Sequence, residues 1–168
     1  MTAITRTKIE SNAYTTIFAI LNDNSNINDP RDPTGNRAFI FDIDPLHIGQ
    51  EWKGLPYIVL GLPVVEYTEQ SVDGRFKLVF WKHKITVRTS REGSGANRID
   101  AGRTDMLNIC DDLQETFNKR TVRDPLAVDN VRKIKLIKIS SDVFTIDQNQ
   151  VYESEFDLGY MSRLQVSD

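Results

Sequence analysis

Residues 75–89, RFKLVFWKHKITVRT, constrain the fold more than any other stretch of the chain. The odd positions carry Val79, Trp81, His83, Ile85 and Val87. The even positions begin with Phe76, Leu78 and Phe80 and then turn to Lys82, Lys84, Thr86 and Arg88. Alternate side chains of a strand point to opposite faces, so one face is apolar along its length while the other changes halfway from apolar to basic. The pattern predicts a long sheet strand that starts in a core and ends against solvent or a partner.

Its neighbours follow the same period. Val65 and Tyr67 alternate with Glu66, and Asp73-Gly74 is a tight turn leading into the long strand, which predicts a hairpin. Near the C-terminus Tyr152, Phe156, Leu158 and Tyr160 alternate with Glu153, Glu155 and Asp157, an acidic counterpart to the basic half of the long strand. Three arrangements suit Lys82, Lys84 and Arg88 opposite Glu153, Glu155 and Asp157. As cross-strand partners within one sheet, each pair contributes ~0.2–1 kcal/mol. Between subunits, as a candidate interface, they fix register more than affinity. Facing DNA, three or four cations on an acidic protein make a thin footprint.

The remaining elements complete an α+β plan. Apolar residues at three- and four-residue spacing predict helices over residues 4–21 and 100–119, the second with a stripe of Met106, Ile109, Cys110, Leu113 and Phe117. Residues 39–43 and 55–61 predict short strands, the latter buried. Residues 131–139 predict a strand whose apolar parity slips from Ile134 and Leu136 to Ile137 and Ile139, the mark of a bulge or of burial on both faces. A loop is expected at Ser140-Ser141-Asp142. The whole chain is expected to form one domain, a mainly antiparallel sheet with both helices on one face.

Two polar stretches, residues 22–37 and 90–103, lack apolar periodicity and are expected to be mobile or ordered by a partner. Asn26, Asp29, Arg31, Arg91 and Arg98 are their candidate contact residues. The second stretch is glycine-rich, but it lacks the GKS/T ending of a phosphate-binding loop and the spaced triple glycine of a dinucleotide site.

Composition narrows the function further. A net charge of −3 disfavours a general polyanion-binding surface. The single cysteine, Cys110, excludes an internal disulfide and lies on the apolar side of a helix. No apolar run approaches the ~20 residues that span a bilayer, and no secretory leader is expected, which together predict a cytoplasmic protein with no membrane partner. His47 and His83 are the only histidines, with no ligand-spaced companions, so no metal or other cofactor is expected. Asp42 with Asp44 and Asp111 with Asp112 are paired carboxylates without a base or nucleophile beside them, and no catalytic residue is assigned.

The layout as a whole resembles a known family. The N-terminal helix, the LPYIVLG strand ending at Leu62-Pro63, the WKHKITV strand, the MLNICDDLQETF helix and the VYESEFDLGY strand are together similar to the tail terminator, or tail completion, proteins of long-tailed bacteriophages. The resemblance implies a homohexameric ring that caps the completed tail tube, stops its growth and presents a joining surface to the head. It implies the tail tube protein and the head-tail connector proteins as partners, contact with DNA in the ring lumen, and a place in the tail or neck of the virion after assembly in the host cytoplasm. It implies neither catalysis nor a cofactor. Another neck protein, such as a head-completion stopper, is the alternative of the same class. A small enzyme or a nucleic-acid-binding module is the alternative of a different class.

Overall fold

The computed structural model describes residues 6–35, 38–45, 55–70, 74, 76–90, 101–119, 122, 131–146 and 149–165. The elements in chain order are α1 (Arg6–Leu21), β1 (Ile40–Phe41), β2 (Tyr57–Leu60), β3 (Val64–Gln70), β4 (Phe76–Ser90), α2 (Ala101–Asn118), β5 (Val131–Ile146) and β6 (Asn149–Gln165). Among the described residues six strands form one sheet in the order β1-β2-β4-β6-β5, with β3 pairing β4. β2 and β3 share one edge of β4, at Ile85–Arg88 and Lys77–Lys82 respectively. Every pairing is antiparallel except β1 with β2. This is the predicted α+β class.

Register explains the parity of the long strand. Trp81 lies opposite Tyr160, His83 opposite Leu158, Ile85 opposite Phe156 and Val87 opposite Ser154, so the odd side of β4 and the even side of β6 form one continuous face. All eight of these residues are buried. Both helices cover this face. From α1 come Ala13, Ile17 and Leu21, and from α2 come Met106, Ile109, Cys110, Leu113 and Phe117, the stripe that its spacing predicts. Burial of each large apolar side chain contributes about 1.5–3 kcal/mol. The indole N–H of Trp81 donates to Ser162 Oγ at 2.6 Å, so the largest core side chain brings in no unsatisfied donor.

The β5 region differs from expectation. No loop interrupts it at Ser140-Ser141-Asp142; β5 continues to Ile146, with these three residues opposite Glu155, Ser154 and Glu153. Their hydroxyls find partners across the ladder: Ser141 Oγ lies 2.9 Å from Ser154 Oγ, and Ser140 Oγ donates to Glu155 Oε2 at 3.4 Å. Polar composition therefore does not end the strand. A register shift, the expected bulge, falls between Lys138 and Ser140, but the slip begins before it: Ile137, opposite Asp157, and Ile139 are both exposed, so the strand is not buried on both faces. A second shift separates Arg132 from Lys135, with Lys133 at a φ of 52°.

Residues 22–35 carry their own order. Asn24 Nδ2 donates to the Pro33 carbonyl at 2.8 Å, Asn26 Nδ2 to the Ile20 carbonyl at 3.1 Å, and the Arg31 amide to Asp29 Oδ1 at 2.9 Å. Ile27 joins the core, and Thr116 Oγ1 of α2 donates to the Asn26 carbonyl at 3.0 Å. Gly35 ends this segment at a φ of +73°, a left-handed conformation in which glycine meets no steric penalty. Residues 36–37 and 91–100 lie outside the described residues, as does Asp73 of the predicted turn; Gly74 of that turn has a φ of +70°.

Candidate interaction surface

The face of the sheet away from the helices carries the even side of β4 and the odd side of β6. Here the six predicted interface residues meet one another within a single chain. Lys82 Nζ lies 3.2 Å from Asp157 Oδ2, Lys84 pairs with Glu155, and Arg88 Nε donates to Glu153 Oε2 at 2.6 Å. Arg88 and Glu153 are directly opposite in the ladder. The two lysines instead reach diagonally, since Asp157 faces Lys84 and Glu155 faces Thr86. Lys82 and Lys84 remain 38 % and 57 % exposed, against 11 % for Arg88. Screening leaves the lysine pairs weak, ~0.2–1 kcal/mol each, and their main effect is to favour this register.

The Arg88 end of the face is closed. Arg88 Nη1 bonds Asp44 and donates to the Tyr57 hydroxyl at 3.2 Å, while its guanidinium lies 5.8 Å from the centroid of the Phe144 ring. Asp44 therefore serves as an arginine partner. Burial pushes the Tyr57 phenol up to about 12, against the opposing influence of Arg88. Burial also pulls the Arg88 pKa down, but the hydrogen bonds that Arg88 donates to Tyr57, Asp44 and Glu153 outweigh it and hold the guanidinium above its ordinary value. This cluster ties the segment after β1 to β2, β4, β5 and β6.

The opposite end is open. Gly159 stands where a side chain would otherwise rise from β6, and a shallow groove of about 230 Å³ runs above it between Phe80, Lys82, Lys135, Ile137 and Met161. A second groove, of about 460 Å³, follows β5 from Ile134 to Lys138 beneath Gln114 and Phe117 of α2. Among the described residues no strand pairs with the outer edge of β3 or of β5.

His83, Cys110 and Asp112, all able to do chemistry, have structural partners. His83 Nδ1 is 2.9 Å from the Gly61 carbonyl, which only accepts, so the ring proton sits on Nδ1. Nε2 then accepts from the Tyr160 hydroxyl at 3.1 Å. Burial holds the imidazole below its ordinary pKa, against the opposing pull of Gly61. Burial likewise pushes the Cys110 thiol up, so it is a poor nucleophile. Asp112 accepts from the Asn28 amide at 3.2 Å. Among the described residues no cluster of three or more His, Cys, Asp or Glu side chains is placed to hold a metal ion, and no helix is long and apolar enough to cross a membrane. His47 lies outside the described residues.

Of the predicted loop contacts, Asn26 and Asp29 hold their own segment together, and Arg31 Nε reaches Asp105 of α2 at 3.8 Å. Arg91 and Arg98 lie outside the described residues. Tyr57, Phe144 and Gly159 shape this surface although no sequence pattern marks them as functional, and Asp44 is legible in the sequence only as one of a carboxylate pair. No protein-family model and no curated protein matches the chain.

Proposed function

We propose that this chain is a structural assembly subunit of the tail-terminator type: copies of it form a homohexameric ring that caps a phage tail tube and offers a joining surface to the head. The observation that supports this reading is the asymmetry of the sheet. One face is covered by both helices and the core, whereas the other keeps Phe80 and Ile137 partly exposed beside paired charges, and both lateral edges are open among the described residues. Unmet strand edges and an uncovered sheet face are features a subunit uses to join others. The chemistry-bearing side chains His83 and Cys110 are buried within the fold.

Mass measurement on the purified protein, alone and after mixing with purified tail tubes, tests this reading. A hexamer, or a ring at the tube end seen by electron microscopy, is the expected result. A monomer at high concentration that leaves tube ends bare and tube growth unchanged overturns it.

A further inference from the structure

The open edges of the sheet carry opposite charge at the same height. Register relations run in a continuous row across the sheet: Val64 of β3 pairs with Lys82, Lys82 with Gly159, and Gly159 with Lys135 of β5. One step along, Tyr67, Phe80, Met161 and Arg132 form a second row. On β3 these levels carry the exposed carboxylate of Glu66; the exposed Glu69 lies beyond them, opposite Leu78. On β5 they carry the exposed Lys133 and Lys135. Apolar residues match too. Leu62 and Val64 are 72 % and 61 % exposed at the start of β3, and Ile137 is 43 % exposed two residues beyond Lys135.

Strand direction is compatible with joining these edges. β3 and β6 run one way, β4 and β5 the other. A copy rotated about an axis roughly along the strands therefore brings its β3 antiparallel to β5 of its neighbour, and the alternation continues through the joint. Lysines and bulges on β5 disfavour pairing with another β5, because like charges meet. An acidic edge removes that repulsion. A contact between two different edges is heterologous, and such contacts close into a ring when the rotation from copy to copy closes, as the ring reading above requires.

From this row of residues we infer that the outer edge of β3 in one copy docks against the outer edge of β5 in the next, with Glu66 facing Lys133 and Lys135, Glu69 continuing the acidic edge beyond them, and Leu62 and Val64 packing near Ile137. The inference rests on the ring reading above and specifies its joint. Glu66 is only weakly engaged within its own chain, 3.9 Å from Lys82 with both side chains substantially exposed, so it is available to the neighbour.

Two charge-reversal variants test the joint: Glu66→Lys with Glu69→Lys, and Lys133→Glu with Lys135→Glu. Each variant alone places like charges across every joint, and its association should weaken by on the order of tenfold or more. Mixed in equal amounts, the variants restore opposite charge at joints between unlike copies, and alternating rings should return. Circular dichroism and thermal melts, read on the same samples, confirm that each variant folds. If wild-type protein forms rings but both variants assemble as it does, or their mixture fails to recover, the joint is elsewhere and the ring reading stands. If wild-type protein forms no ring alone or on tubes, both readings fall.

Discussion

Gly159 stands directly opposite Lys82 in the β4–β6 ladder, so the ammonium of Lys82 leans one pair along to Asp157, 3.2 Å away. Lys84 leans the same way to Glu155, and the displacement continues until Arg88 meets its direct partner Glu153. One missing side chain thus coincides with both the diagonal ion pairs and the groove above β6.

A side chain at this position has room. A Cβ built on Gly159 comes no closer than 3.9 Å to the carbonyl oxygens of Lys135 and Trp81, an ordinary contact, and the glycine has no left-handed φ. Glycine inside a strand costs roughly 0.5–1 kcal/mol relative to alanine. Gly159→Ala should therefore stabilise the subunit by about that amount in urea unfolding. A loss of stability would show that the backbone here depends on glycine for another reason.

The charged row should separate by burial. Lys82→Glu with Lys84→Glu introduces like charges beside Asp157 and Glu155, but these half-exposed sites are screened. The loss should be about 1 kcal/mol. Arg88→Ala instead leaves the mostly buried Asp44 and Glu153 without their cation and should cost about 3–5 kcal/mol. Equal losses in chemical denaturation would contradict this division between a closed and an open end.

Much of this plan is legible in the sequence, because a strand's period of two and a helix's three- and four-residue spacing are local properties. Residues 75–89 reveal the two faces of β4, and the stripe from Met106 to Phe117 reveals the buried side of α2. The pairing of Lys82, Lys84 and Arg88 is visible only as three alternatives, since register across 65 or more residues is a tertiary outcome. The Arg88 cluster is hidden for the same reason: Asp44 lies 44 residues away, and Phe144 follows a serine-rich stretch that reads as a loop. Residues 22–35 have a mobile loop's composition, yet their asparagines and aspartates bond backbone groups that composition cannot identify.

His83 should make the fold sensitive to mild acid. Its neutral ring is fixed between Gly61 and Tyr160, and its folded pKa lies below the unfolded value of about 6.5. Between those two values the unfolded chain binds more protons, so stability rises with pH. The contribution is complete above about pH 6.5 and falls away as pH drops toward the folded pKa, by up to about 1.4 kcal/mol per unit. Urea midpoints at pH 7.5, 6.5 and 5.5 should decline for wild type and change less for His83→Asn. Parallel curves would mean that another group carries the dependence.

Thr116 supplies the test of order in the segment after α1. Its hydroxyl is fully buried and donates to the Asn26 carbonyl, while Asp112, one helical turn earlier, accepts from the Asn28 amide. Thr116→Val keeps the shape but leaves that carbonyl without its donor, at a cost of about 1–3 kcal/mol. The cost should be local. Asn26 and Ile27 donate their amides to the Asp23 carbonyl at 2.8 and 3.2 Å, and those amides should exchange hydrogen faster in the variant. Amides of the β4–β6 ladder should keep their relative protection, because they belong to the core of the sheet. Faster exchange throughout the ladder would show instead that the segment and the sheet open as one unit, making Thr116 a support of the whole fold.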